Sequence, residues 1–461
     1  MTINDYLQSS DHTTTFASIL EQAKQINKAN PSILRREDQH IESCQLNAFA
    51  KPLAGLPIVI KDNMLLEETI SSCGSKMLEH YRAPYTATVV RRLEDAGAIV
   101  IGKATMDEFA QGTTGENSPF PIPHNPYGID RVAGGSSSGS AVAVASGMVP
   151  VALWSDTGWS VRLPASFCNI VGIKPTYGAL SRYGVQAMAA SFNQVGLFSQ
   201  TVADAKQVFD IMTGPDPLDA TTSHQPFSRT KKTIQWLRIG LPKQYFWEWL
   251  DPQIKEAIMK IVDLLVIQGA VVVELDIPLI TEGIAVYYTL VPAEVSTDMA
   301  RFDGLKYGLQ HDTTDALSHN DYLATIRAEG FGDEVMRRIL LWAHILSASE
   351  YEWLYLQAMK MRTIVTQQFK DHFAHDVDII LWPVSPTLPW KLGAKNDDPL
   401  ALYLMDMYTV IANITGLPAF SLPIWFGKEW DEQLPIWLQI MWDHWSEYEL
   451  FDIAQQIESL V

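Results

Sequence analysis

AGGSSSGSAVAVASGMV, residues 133–149, runs without a break into PVALWSDTGWSVRLPASFCNIVGIKPTYG, residues 150–178, and this stretch decides how the 461-residue chain is read. A Gly/Ser loop that enters an Ala/Val helix and then an apolar strand sets hydroxyls and backbone N–H groups where an anion can sit. A flexible linker does not pass straight into an apolar helix and a strand. A phosphate loop needs a Gly-Lys-Ser/Thr ending, which is missing. Gly135-Ser136-Ser137-Ser138-Gly139 imitates the G-x-S-x-G nucleophile elbow. That elbow requires a strand just before it and a histidine well placed downstream. HNPYGIDRVAG, residues 124–134, reads as loop instead, and the scattered histidines have no persuasive setting.

Outward from this centre, strands and helices alternate. Leu56 to Ile60 is a short apolar run ending in Lys61-Asp62-Asn63, a buried strand that stops at a polar site. Val89 to Ala96 predicts a helix, Gly97 its stop, and Ala98 to Ile101 the next strand. Asp251 caps a helix with Pro252 at its first position, running through Ile254, Ile258, Ile261 and Leu265 to Gly269, before the strand-like AVVVEL. Near the start, Phe16, Ile19, Leu20, Ala23 and Ile26 predict an amphipathic helix, capped by the threonines ahead of it. The pattern predicts an α/β fold, a sheet covered by helices on both faces. The Pro/Ser/Thr/Asp-rich segment Thr213–Thr233 is read as a surface excursion rather than a domain linker. The expected organisation is an N-terminal helical segment, 1–50, followed by one large domain, 51–461.

The composition narrows the function. Fifty-three acidic against 34 basic residues leave a net charge of −19, and such a chain repels phosphate. If RNA is involved, a partner must supply the positive surface. Cys44, Cys73 and Cys168 are odd in number and contain no C-x-x-C pair, which argues against a disulfide framework or a zinc site and for a reducing cytoplasm. No run of about 18 apolar residues predicts a spanning helix, and the polar start MTINDYLQSSDHTTT lacks a signal-peptide core.

GLPIVIKDN, GGSSSGSA, SDTGWSVRLPASFC and GIKPTYG, in that order and spacing, resemble the amidase signature family. The resemblance implies a central mixed sheet flanked by helices, Ser160 as nucleophile, Ser136 as a bridging serine after a cis peptide, and Lys61 as base. A serine hydroxyl needs an adjacent base, and a lysine serves as one only when burial keeps it neutral. The resemblance further implies that backbone N–H groups of Thr157, Gly158, Trp159 and Ser160 bind the oxyanion. Alone, Lys61 would be read as an ion pair with Asp62.

GKATMDEFAQGTTGENS, LSRYGVQAMAASFNQVG, AEVSTDMARFDGLKYG, EGFGDEVMRRILL and DDPLALYLMDMYTVIANITGLPA are similar, within that family, to the glutaminase subunits of tRNA-dependent amidotransferases. That likeness implies glutamine held by Arg338 and Asp406, suited to its carboxylate and ammonium, with Tyr288 contributing. Without it, Arg338 would be a helix-surface charge and Asp406 a cap. It also implies a heterotrimer: a B subunit that uses ATP and Mg and holds the tRNA, and a small C subunit, with no cofactor or metal in this chain. The alternatives are a stand-alone amidase acting on a small amide, and a catalytically impaired scaffold.

The impaired reading has a foothold in Trp159 and Trp154, which stand where the resemblance leads one to expect glycine. Trp236, Trp247, Trp249, Trp342, Trp425, Trp430, Trp437 and Trp442 do the same. Glycine, at 27 residues, falls below the roughly 7% usual in proteins. The expectation is that these codons are UGA read as glycine, and that a chain made as written is weakly active or inactive. Ser138 at another expected glycine is a smaller departure.

Overall fold

The computed structural model describes Met1 to Val461 apart from residues 247–249, 312–317, 346–350, 395–404 and 430, and apart from the side chains of 46, 342, 344, 345, 351 and 352. Trp247, Trp249 and Trp430, and the side chain of Trp342, therefore lie outside the described residues. Eleven strands form one sheet: β1 Ile33–Arg36, β2 Pro57–Lys61, β3 Ile99–Ala104, β4 Val151–Asp156, β5 Val171–Lys174, β6 Gln194–Ser199, β7 Arg238–Pro242, β8 Val271–Leu275, β9 Ile379–Trp382, β10 Ala419–Glu429 and β11 Glu432–Met441. Their order across the sheet is β1-β3-β2-β4-β6-β5-β10-β11-β9-β7-β8. β2 pairs parallel with β3 and β4, and β7 with β8 and β9. The junctions β4–β6, β6–β5, β5–β10, β10–β11 and β11–β9 are antiparallel.

The central strands are buried along their whole length, as near-continuous apolar runs demand when both faces are covered. Alternation along each strand divides the core in two. Ile58, Ile60, Val151 and Leu153 pack into one apolar cluster, while Val59, Ala152 and Trp154 point into another. The helix Ser138–Ala145 lies on the second face, and Thr88–Asp95 and Val202–Met212 on the first.

The sequence-derived elements fall where expected, with two differences at the start. The N-terminal helix spans His12–Ala29, but Asp11 caps it by accepting from the Thr14 N–H at 3.1 Å; the threonines lie inside the first turn. The first fifty residues, read as helical, also carry β1, which joins the sheet edge beside β3. Asp251 and Pro252 open the helix Pro252–Ile267 as anticipated. The segment 213–233 is irregular and lies on the sheet domain: Arg92 donates to the Met212 and Gly214 carbonyls, and Thr88 and Ser181 donate to Asp216.

The helices Gly283–Met299, Asp333–Ile345, Leu356–His375 and Val410–Thr415 pack on one another. They bring residues from distant parts of the second half of the chain towards the end of β4.

Candidate active site

Three sequence elements converge at the end of β4. β2 ends in Lys61, the loop ahead of the helix Ser138–Ala145 supplies Ser136, and the turn after β4 supplies Ser160. Lys61 Nζ donates to Ser136 Oγ at 2.7 Å, and Ser136 Oγ donates to Ser160 Oγ at 2.8 Å. The Gly135–Ser136 peptide is cis. Glycine at 135 is required by crowding, since a Cβ there would lie 1.9 Å from Asp107 Oδ2.

Lys61 is fully buried and does not pair with Asp62. Asp62 instead faces Lys103 at 3.7 Å and Arg35 at 3.6 Å, and accepts from Ser72. Burial pushes the Lys61 ammonium down to about 7, against the opposing pull of Asp107 and Asp156. Burial likewise pushes the Asp107 carboxyl up to about 7, although the N–H groups of Asn117 and Gly115 bond to it. When Lys61 gives up its proton its lone pair becomes an acceptor, so both hydroxyl bonds can reverse: Ser160 then donates to Ser136, and Ser136 to Lys61. This arrangement can activate a serine without a histidine.

The oxyanion segment is held from beneath. Among the described residues, none of the backbone N–H groups of Thr157, Gly158, Trp159 and Ser160 donates to a protein acceptor. The Thr157 hydroxyl bonds to Asn193 at 2.7 Å. The Gly158 carbonyl accepts from Arg162 at 2.8 Å, which keeps that carbonyl turned away from the reacting side. Arg162 is itself buried, and bonds to Asp156, Asn413, Gln439 and the Thr409 carbonyl.

Arg338, on the helix Asp333–Ile345, and Asp406 are each 2% exposed, so neither is a surface charge. Arg338 Nε donates to Glu334 at 2.8 Å. Tyr288 donates its hydroxyl to Asp406. Burial raises the Asp406 carboxyl well above its ordinary range, against the Tyr288 hydrogen bond and the Arg338 charge. Trp159, the residue before Ser160, packs against this group. Its ring stacks on Tyr288 at 6.3 Å between centroids and tilts against Tyr287 at 5.4 Å. The Arg338 guanidinium lies 6.0 Å from it. Its indole N–H donates to the Gly112 carbonyl at 2.9 Å.

All nine residues named from the sequence thus gather around one locus. Asp107 and Arg162 were not singled out. Asp107 sits inside the quoted block GKATMDEFAQGTTGENS, and Arg162 lies two positions after Ser160 at the head of an apolar helix. An arginine buried in so apolar a setting must find acceptors, and that is the sequence signal that could have exposed it.

The amidase family pattern matches residues 13–451. A glutamyl-tRNA(Gln) amidotransferase A subunit from Prochlorococcus marinus is 46% identical over 412 residues, 88% of this chain and 84% of that protein. The corresponding subunit of Alkaliphilus metalliredigens is 43% identical over 88% of this chain and 82% of that protein. Among solved structures, the A subunit of the Thermotoga maritima glutamyl-tRNA(Gln) amidotransferase superposes with a TM-score of 0.82 at 34% identity, covering 100% of this chain and 94% of that one. The Kluyveromyces lactis allophanate hydrolase superposes at 0.85 with 26% identity, covering 100% of this chain and 72% of that one. The chain therefore belongs to the amidase family.

Proposed function

We propose that this chain is the glutamine-hydrolysing A subunit of a tRNA-dependent amidotransferase, with Ser160 as nucleophile, Ser136 as proton bridge and Lys61 as base. The observation that carries this reading is the burial of Arg338 and Asp406 around the residue that precedes Ser160. Burying such groups is costly unless hydrogen bonds and ion pairs compensate, as Glu334 and Tyr288 do here, and a glutamine adds to those partners. Glutamine offers a carboxylate to Arg338 and an ammonium to Asp406 and Tyr288.

Neutral Lys61 takes the Ser136 proton while Ser136 takes that of Ser160, and the Ser160 oxygen attacks the side-chain amide carbon. The N–H groups of residues 157–160 receive the developing oxyanion. Collapse breaks the C–N bond; the proton returns through Ser136 to the departing nitrogen, releasing ammonia and leaving a glutamyl ester on Ser160. Water, deprotonated by the same relay, hydrolyses the ester to glutamate. The ammonia serves a B subunit that activates glutamate on tRNA with ATP and Mg, and a small C subunit clasps the pair. The net charge of −19 suits a chain that leaves RNA to its partner. The names and extent of similarity of the relatives support the same reading.

The test is amide hydrolysis by the assembled complex, comparing glutamine with simple aliphatic amides. Strong preference for glutamine, lost in Arg338→Met and Asp406→Asn, is expected. Equal use of simple amides, unchanged in those variants, would favour the stand-alone amidase.

A further inference from the structure

A buried tryptophan in this fold can be well accommodated, and Trp382 shows how. At the end of β9 its indole N–H donates to the Tyr408 carbonyl at 2.7 Å, and its ring meets Tyr245 and Phe369 edge-on at 5.1 and 6.2 Å. That is the pairing of apolar body and satisfied donor that burial of an indole requires.

Four other tryptophans are poorly accommodated, for three different reasons. Trp236, in the turn ahead of β7, has φ +66° and is 76% exposed. The left-handed region is unfavourable for a bulky residue, and at that exposure little packing offsets it. Trp154 in β4 and Trp437 in β11 are fully buried, and their indole N–H groups find no acceptor among the described residues. Buried donors in native proteins are almost always satisfied. Trp159, next to Ser160 in the chain, is hydrogen-bonded, but its ring covers Tyr288 and the Arg338 guanidinium, two of the groups read as holding glutamine. Trp445 shares the positive φ, yet its ring packs against Phe227 at 5.7 Å, so it is not of this class.

Glycine answers all four demands. It adopts φ +66° freely, it brings no indole donor into β4 or β11, and it uncovers Tyr288 and Arg338. One cause for four unrelated positions is a codon rather than four separate substitutions. We infer that residues 154, 159, 236 and 437 are glycine in the protein its cell makes, through a code in which UGA specifies glycine while UGG still gives Trp382. The claim about backbone and packing stands without the glutaminase reading; only the role of position 159 in admitting substrate rests on it.

The protein purified from its own cell is digested with trypsin and its peptides weighed. Val132–Arg162, holding positions 154 and 159, and Thr233–Arg238, holding 236, are expected at the masses for glycine. Asp371–Lys391, holding Trp382 and Trp390, is expected at its written mass. Tryptophan masses in the first two peptides, or glycine at 382, would overturn the inference. In recombinant complex, Trp159→Gly is expected to raise kcat/KM for glutamine by at least on the order of 100-fold over the chain as written; no gain would overturn the assignment at 159. If the written chain does not fold, the peptide masses still decide. Glycine masses together with an inactive glycine form would sink the glutaminase reading and leave the recoding standing.

Discussion

The serine–lysine relay and the Arg338–Asp406–Tyr288 group lie side by side but are built in opposite ways. The relay is assembled from the first 160 residues, on adjoining strands β2 and β4 and a loop bound to them, with each step fixed by a hydrogen bond of 2.7–2.8 Å. The second group comes from three helical elements of the second half, spread over more than a hundred positions. The relay is complete without a ligand, whereas Arg338 is held by Glu334 and Asp406 by Tyr288 until something displaces or joins those contacts. The relay thus sits on the sheet, whereas the second group sits on helical elements packed on one another. The comparison predicts that damage to the relay lowers kcat, while damage to the second group raises KM.

The largest effect is expected from Ser160→Ala, which should lower kcat for glutamine by on the order of 10⁴-fold or more with binding retained; isothermal titration with glutamine separates the two. A variant that still turns over at a tenth of the rate would dismiss Ser160 as nucleophile. Next, Asp406→Asn or Arg338→Met should raise KM for glutamine by about 10- to 100-fold, the loss of one charge-assisted hydrogen bond. A fall confined to kcat would erase the division between the two regions.

The pH profile gives a smaller, sharper test. Because burial lowers Lys61 to about 7, kcat/KM should rise as pH passes that value, where the amine becomes neutral, and level off above it. The Asp107 charge favours the protonated amine, so Asp107→Asn should let Lys61 lose its proton earlier. The acid limb should then move down by about one pH unit; an unmoved limb would disconnect Asp107 from the relay. The smallest effect lies outside both regions. In the chain as written, Trp236→Gly should raise stability by about 1 kcal/mol by relieving the left-handed φ, visible as a higher midpoint in denaturant.

The relay was legible through the resemblance that its short blocks carry; read alone, Lys61 would have been an ion pair with Asp62. Lys61 follows an apolar run, and Ser136 and Ser160 lie in a Gly/Ser loop and a small-residue turn. Asp107 was not legible, for its importance rests on the Gly135 backbone coming so close to its carboxylate, a contact between segments 28 positions apart. The helix cap at Asp11 was displaced by two residues for a local reason: both aspartate and threonine can cap, and only the backbone geometry chooses between them.

The sequence by itself determined the strand–helix alternation, because periodicity is a local property, and its short blocks carried the resemblance that pointed to the serines, the lysine and the anomalous tryptophans. Only the tertiary structure decided that Lys61 is isolated from Asp62, that Arg338 and Asp406 are buried beside Trp159, and that Trp236 is forced to a positive φ. Burial, desolvation and backbone conformation depend on which distant segments close over a residue, and no local pattern encodes that.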